Sequence, residues 1–291
     1  MSGERRATPL AGLRRSAATA ALALAGLGVF VAAWWAAIAF LAPTDSLLAR
    51  FGPAEGISAL LDLVAGGQLW GHVAASLRRI LVGLSLAAAI GIPLGLALGS
   101  FRLFGRTTGP VFGLVRMISP LSWTPIAIIV FGVGDAPVYF LVAVGAIWPI
   151  ALNTAAGIAA LDPTWLVVAR SLSGSPWEVL RHVVWPGIRP NVLTGLRLAT
   201  GLAWIILVPA EMLGVDSGLG YFILDTRDRF AYDELVAGIV VIGMLGLGLD
   251  TIARLAFTFR RRASTRQPRS VGGRAERPTH TVIDEPAGQA R

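Results

Sequence analysis

Long apolar runs without a charge, separated by short polar segments, set the pattern of this chain. Residues 16 to 44 carry no charge, nor do 80 to 101, 117 to 134 and 136 to 161; 190 to 214 is interrupted only by Arg197 and Glu211, and 235 to 257 only by Asp250 and Arg254. About 20 apolar residues, at about 1.5 Å each, cross a hydrocarbon core of about 30 Å. The pattern therefore predicts an all-α membrane protein with six transmembrane helices, near 17–43, 76–101, 110–133, 136–160, 190–214 and 235–259. Around this 17–262 unit stand a basic tail, 1–16, and a second tail, 263–291, rich in Pro, Gly, Thr and Arg without apolar periodicity and expected to be disordered. Residues 45–71 place Leu47, Leu48, Phe51, Leu60, Leu61, Leu63 and Val64 at roughly helical spacing, which fits an amphipathic segment at the membrane interface.

Composition agrees with the spans. The chain has 291 residues, 55% hydrophobic and 14% charged, too few charges for a water-facing surface. All 25 basic residues are Arg, against 17 acids, a net +8. Four of those Arg stand against Glu4 in residues 1–16 and eight against three acids in 260–291, so the stretch between is balanced at 13 against 13. The first apolar run follows Arg5, Arg6, Arg14 and Arg15 but is longer than a signal core, so it reads as a signal anchor. Segments 42–71, 133–137 and 214–234 hold three Arg and nine acids; 101–110 and 161–190 hold five Arg and two acids. The positive-inside rule then puts both tails and the 161–190 segment in the cytoplasm, with Arg260, Arg261 and Arg262 set against anionic lipid. The absence of Cys excludes disulfides and Cys-type zinc sites, and three His far apart argue against a metal cluster. A basic excess confined to the tails weakens a nucleic-acid reading.

The segment from Leu161 to Pro186 is too elaborate for a plain connection. Asp162 before Pro163 starts one short helix, Ser173-Gly174-Ser175-Pro176 breaks it, and Ser175 with Glu178 forms a capping box for a second that Pro186 and Pro190 are expected to end. This segment resembles the coupling loop of ABC-importer permeases, whose motif runs Glu-Ala-Ala, three residues, Gly, nine residues, Ile-x-Leu-Pro. Val167, Val168 and Ala169 take the first three places, Ser173 the Gly, Val183 the Ile, Trp185 the Leu and Pro186 the Pro, with Gly174 one place late. Gly91-Ile-Pro-Leu-Gly95, Ser119-Pro-Leu-Ser-Trp123, Phe131-Gly-Val-Gly134, Trp148-Pro-Ile-Ala-Leu-Asn153, Ala210-Glu-Met-Leu-Gly214 and Ser217-Gly-Leu-Gly-Tyr221 extend the likeness, over about residues 20 to 260, to permeases for nitrate, sulfonate, taurine and bicarbonate. The resemblance implies a type I importer (MetI-like) fold with a cytoplasmic coupling helix in the 161–189 loop. It implies two ATPase subunits that use ATP and Mg, a second copy of the permease, and an external, periplasmic or lipid-anchored binding protein. No cofactor is expected on this chain and no catalysis: it lacks a phosphate loop and any Lys. Trp165, Val167, Val168, Ala169, Arg170, Ser173, Gly174, Trp177 and Pro186 are the residues expected to couple to the ATPase.

Within the spans, Gly91, Gly95 and Gly99 form a bare ridge where another helix can approach, in the same subunit or across a dimer. Pro120 and Pro125 around Trp123 and Thr124 interrupt a helix, either as a kink or to expose backbone along a pathway. Asn153 and Thr154 suit hydrogen bonds between helices as well as substrate contact. Glu211 is either a pathway residue or an acid paired with an arginine. Arg78 and Arg79 either attract anions or pair with Asp62 or Glu55; Asp250 and Arg254, one turn apart, are expected to pair with each other. A self-sufficient transporter would need repeated spans and buried carboxylates in several of them. A membrane enzyme would need His72 and His182 on one side, where the topology separates them.

Overall fold

The computed structural model describes residues 9–41 and 50–264. Its helices are α1 (Pro9–Leu41), α2 (Pro53–Ala65), α3 (Gln68–Ser100), α4 (Arg102–Val115), α5 (Thr124–Phe131), α6 (Asp135–Ala159), α7 (Pro163–Ser171), α8 (Pro176–Val179), α9 (Trp185–Glu211), α10 (Leu219–Asp228) and α11 (Tyr232–Ser264). Segments 1–8 and 265–291, which hold most of the two expected tails, lie outside the described residues, as do the side chains of Arg260, Arg261 and Arg262.

Among the described residues, four helices are long and apolar enough to span a membrane: Gln68–Ser100, Asp135–Ala159, Pro176–Glu211 and Tyr232–Leu255. The expected span at 110–133 is a bent pair instead. Leu103–Val115 and Pro120–Phe131 meet at 85° across residues 116–119; Pro120, which lacks a backbone donor, opens the second arm as a short 3₁₀ turn, Pro120–Trp123, and Pro125 stands in the first turn of α5. Counted as one span the pair makes five, and α1 adds a shorter apolar stretch, Ala25–Leu41. The span expected from residue 76 starts at Gln68, one helix carrying both the polar and the apolar stretch.

Pro186 and Pro190 do not end a helix. A π turn over Leu180–Val184 takes up the distortion just ahead of Pro186, and the helix runs on as Pro176–Glu211, 36 residues. The second coupling-loop helix and the fifth span are therefore one rod.

The core is α6, held between α3 and α9. A Cβ added at Gly91 would stand 3.0 Å from the carbonyl oxygen of Ile147, and one at Gly95 2.4 Å from that of Ala151. At Gly99 it would meet Ile158 at 2.8 Å. The ridge thus packs on α6 of the same chain and continues through Gly83, which faces Val142, and the buried Ala87. Gly195 on α9 approaches α6 as closely, 2.9 Å from the Pro149 carbonyl oxygen. In lipid, where burying apolar surface between helices gains little, such close backbone approach is what association rests on. Of the 45–71 segment expected at the interface, Leu47 and Leu48 lie outside the described residues; Pro53–Ala65 forms α2, which buries Ala59 and Leu63 towards α3 and α11 and leaves Ile57 and Leu61 exposed.

At the end of the bundle where α3 and α6 begin and α9 finishes, the three are tied by charge. Arg79 is 1% exposed and Glu211 fully buried, with Arg79 Nη1 2.9 Å from Glu211 Oε1. Arg79 Nε also donates to Asp135 Oδ1 at 2.8 Å, and exposed Arg78 pairs with the same carboxylate. The Ser76 hydroxyl lies 2.8 Å from both Glu211 oxygens. The loop after α9 closes the cluster. The Ser217 carbonyl accepts from Arg79 Nη1 at 2.6 Å, its hydroxyl accepts from Nη2, and the Gly220 N–H donates to Glu211 Oε2 at 2.9 Å. Gly218 has φ +103°, and a Cβ there would stand 2.4 Å from Arg79 Nη1. The expected partners Asp62 and Glu55 are not used. Asp135 and Glu211 lie directly beside the helix turn that carries Arg78 and Arg79.

Two outcomes follow from this packing. Gly95→Ala should cost about 1–3 kcal/mol through overpacking. Gly201→Ala on α9, which meets nothing within 4 Å, should instead be neutral or gain up to about 1 kcal/mol from helix propensity; unfolding titrations of the purified chain in mixed micelles compare the two. Glu211→Ala, which leaves the buried Arg79 guanidinium with Asp135 as its one carboxylate partner, should cost about 3 kcal/mol. Arg79→Met combined with Glu211→Met should cost clearly less than the sum of the single changes in the same titration, as expected for groups that interact.

Candidate functional site

The coupling segment lies at the opposite end of the bundle from Arg79. Asp162 Oδ1 accepts from the Thr164 N–H at 2.9 Å to cap α7, with Pro163 at the first helical position. The Thr164 hydroxyl and N–H hold the Asp162 carboxyl below the usual carboxylate range. A carboxyl shifted downward stabilises the folded cap at neutral pH and loses that contribution only as the pH falls through its lowered value. Ser175 and Glu178 form the reciprocal capping box that opens α8.

Between these helices the chain turns in a Schellman arrangement. The Gly174 N–H donates to the Ala169 carbonyl at 3.1 Å and the Ser173 N–H to Arg170 at 3.0 Å. Ser173, which takes the motif's glycine place, sits in the left-handed region at φ +56°. The departure from glycine is therefore one of residue type and not of backbone: serine occupies a conformation that glycine would adopt without strain. Gly174 is needed for a different reason, since a Cβ there would stand 2.9 Å from the Ala169 carbonyl oxygen.

α7 and the turn into α8 carry apolar side chains that no other described residue covers. Trp165 is 64% exposed, Leu172 79% and Trp177 67%, with Val167 and Val168 exposed beside them. Ala169 is half-buried, Arg170 lies in the last turn, and Pro186 is exposed at the start of α9. The nine coupling candidates are thus brought into one short segment.

The pathway candidates are not brought into one place. Trp123 packs against the α3–α6–α9 core, and its indole Nε1 is the one buried side-chain nitrogen or oxygen without a hydrogen-bond partner among the described residues. Thr124, buried, donates to the Leu121 carbonyl at 2.6 Å. Asn153 and Thr154 donate to Pro149 and Ile150 on their own helix, not across helices. Glu211 belongs to the Arg79 cluster. Asp250 pairs with Arg254 as expected and also lies 3.6 Å from Arg197.

Sequence reasoning missed Ser76 and the partnership of Asp135 with Arg79. Ser76 carries no signal, being one hydroxyl in a helical run. Asp135, the lone acid in a five-residue turn, was visible but had no marker of what it would face.

The chain matches the family described as "Binding-protein-dependent transport system inner membrane component" over residues 91–262. It is 32% identical over 244 residues to the taurine transport system permease protein of Escherichia coli strain K12, covering 80% of this chain and 87% of that one. It is 38% identical over 186 residues to the bicarbonate transport system permease protein of Synechococcus elongatus, covering 63% and 66%. The nitrate import permease protein of the same organism is 38% identical over 180 residues, covering 61% and 64%. In fold it is similar to a chain of the inward-facing MetNI methionine ABC transporter, with a TM-score of 0.59 at 19% identity, covering 68% of this chain and 96% of that one. With the bent span, the glycine-packed core and a capped segment of exposed apolar residues in place, the chain belongs to the binding-protein-dependent transport system inner membrane components and is the permease subunit of an ABC importer.

Proposed function

We propose that this permease forms the route by which a small oxyanion, of the nitrate, bicarbonate or sulfonate kind or a taurine-like zwitterion, enters the cell after delivery by an external binding protein. The relatives at 32–38% identity are permeases for taurine, nitrate and bicarbonate, which supports that substrate class. α1 supplies the sixth span, both termini lie in the cytoplasm, and 17–262 is the transmembrane unit between two cytoplasmic tails. The charge bias of the loops supports this orientation. Membrane lipid covers the outer faces of the spans, and nucleic acid is not a partner.

The observation that carries the coupling reading is the uncovered apolar surface of α7, Trp165, Val167, Val168 and Leu172, held between two capped helix starts. Trp, Leu and Val left bare at the water-facing end of a membrane protein call for a protein partner. Two ATPase subunits, one on each copy of a permease dimer, receive α7. ATP and Mg are used there and not on this chain. Ala169, Arg170, Ser173 and Gly174 shape the turn that presents α7, while Trp177 and Pro186 join it to α9. Within the membrane, the route passes Trp123 and Thr124 at the break between α4 and α5, where an indole N–H without a partner faces the core. Asn153 contributes through its position on α6, and Glu211 through the cluster that holds the end of α9.

Trp165→Glu with Leu172→Glu, both at exposed positions, should abolish co-purification of the ATPase subunits and substrate-stimulated ATP hydrolysis while the permease extracts and unfolds as wild type. Co-purification that survives those changes, or an isolated chain that moves nitrate down its gradient in vesicles, sinks the reading. Because the chain contains no Cys, each introduced thiol is unique. Ala74→Cys should react with a membrane-impermeant maleimide on intact cells, and Ser171→Cys only after permeabilisation.

A further inference from the structure

A cavity of 460 Å³ opens beside the Arg79 cluster, lined by Gly71, His72, Ala74, Ala75, Arg78 and Ser217. Its size falls within the range of about 300–1,000 Å³ that holds small ligands. Its three polar side chains share one property. His72 Nδ1 accepts from the Gly218 N–H at 3.2 Å, so in the neutral ring the proton sits on Nε2, which is a donor. The Ser217 hydroxyl oxygen already accepts from Arg79 Nη2 at 2.9 Å, leaving its own hydrogen to donate. Arg78 contacts Asp135 through Nη2 alone, so most of its five N–H donors are unspent on an exposed side chain.

The ring is also fixed in place. His72 stacks on Tyr221 at 6.0 Å and lies 5.4 Å from Phe222, centroid to centroid, both on α10. Behind the cavity, Arg79 is engaged by Glu211, Asp135 and the Ser217 carbonyl; with Arg78 on the same Asp135, two guanidiniums stand against two carboxylates, so the site rests on its unspent donors and not on surplus charge. The remaining lining, Gly71, Ala74 and Ala75, is small enough to let a ligand reach the donors. A site whose side chains offer an N–H from imidazole, several from guanidinium and an O–H suits a ligand rich in acceptors.

We infer that His72, Arg78 and Ser217 form an oxyanion-binding site at the end of the bundle opposite the coupling segment. Under the topology proposed above, that end faces outwards. The same chemistry is met by a free small oxyanion arriving for transport or by a carboxylate side chain of a docked partner. Arg78 supplies the unspent donors of its planar fork, His72 and Ser217 orient the anion, and the Gly218 N–H locks the tautomer.

The test uses the full chain in lipid nanodiscs with isotope-labelled histidine, read by NMR. Only His72, His182 and His280 contribute ring signals, and His182→Gln and His280→Gln assign them. Sodium nitrate, sodium bicarbonate and sodium ethanesulfonate should each shift the His72 signals saturably, where sodium chloride at equal ionic strength does not. Arg78→Gln, an exposed change, should weaken that response at least tenfold, and Ser217→Ala by several-fold. Saturation by the free anions at concentrations where a hexaglutamate peptide has no effect assigns the site to a small oxyanion; a response to hexaglutamate alone assigns it to a partner's carboxylate. No shift with any of these probes, a shift matched by chloride, or one unchanged in Arg78→Gln overturns the site. The measurement reads binding alone, so its failure leaves the importer reading standing, and loss of ATPase docking would leave this site standing.

Discussion

A guanidinium and a carboxylate, both withdrawn from solvent and 2.9 Å apart, organise one whole end of this permease. Burying either alone is costly, and their attraction offsets that cost only when the remaining donors and acceptors are also met. The chain meets them from four directions. Ser76 comes from α3 one turn before Arg79, Asp135 from the first residue of α6, the Ser217 carbonyl from the loop beyond α9, and the Gly220 N–H from the first turn of α10. The loop can come this near only because Gly218 and Gly220 have no side chains. A Cβ at Gly220 would stand 2.1 Å from the Val208 carbonyl oxygen. The Ser-Gly-Leu-Gly run is thus the steric counterpart of the ion pair. The fixed position of Ser217 and of the Gly218 N–H, on which the neighbouring donor-lined cavity depends, is a further consequence.

Towards the middle of the bundle the same economy appears without charge. Gly83, Ala87, Gly91, Gly95 and Gly99 on one side of α6 and Gly195 on the other bring backbones to within van der Waals contact. Thr154 is fully buried here, and it satisfies its hydroxyl on the Ile150 carbonyl of its own helix. Polar groups at this level therefore do not bridge helices; dispersion and close approach hold the three rods. With charge at one end and interlocked backbone along the length, α3, α6 and α9 form one rigid body. The bent pair of α4 and α5 stands beside it on fewer contacts.

What was legible in the sequence depended on how local its cause is. Spans follow from the absence of charge, caps from Asp162, Ser175 and Glu178, and the Asp250–Arg254 pair from one helical turn of spacing; each needs only neighbours along the chain. The glycine ridge was legible as a ridge, yet its partner was not, because four-residue spacing shows which face is bare and not what lies on it. The continuation of α9 through Pro186 was misread for a physical reason. Proline predicts a lost hydrogen bond but not whether the chain stops or inserts a π turn to absorb the loss, and here the π turn over Leu180–Val184 takes that role. Arg79 illustrates the limit most sharply. Its pairing with Glu211 spans 132 positions in sequence, and Glu55 and Asp62 were nearer along the chain though not in space.

The unbroken helix from Pro176 to Glu211 changes how force can travel. Its 36 residues, at about 1.5 Å each, reach about 54 Å, longer than the hydrocarbon core is thick. One end is capped by Ser175 beside the exposed face of α7; the other is Glu211 in the Arg79 cluster. Between α7 and this helix stands the turn at Leu172–Gly174, and within the helix the π turn over Leu180–Val184; these are the two places where a displacement of α7 can be absorbed before it reaches the far end of α9. Since Glu211 is bonded to Ser76, Arg79 and Gly220, any translation of α9 along its axis must carry α3 and the 217–220 loop with it or break a buried ion pair. A cost of several kcal/mol for breaking that pair makes the joint movement the cheaper course. Under the coupling proposed for α7, displacement there and displacement at the Arg79 end are joined through this one helix, beside which the bent pair turns between Val115 and Pro120.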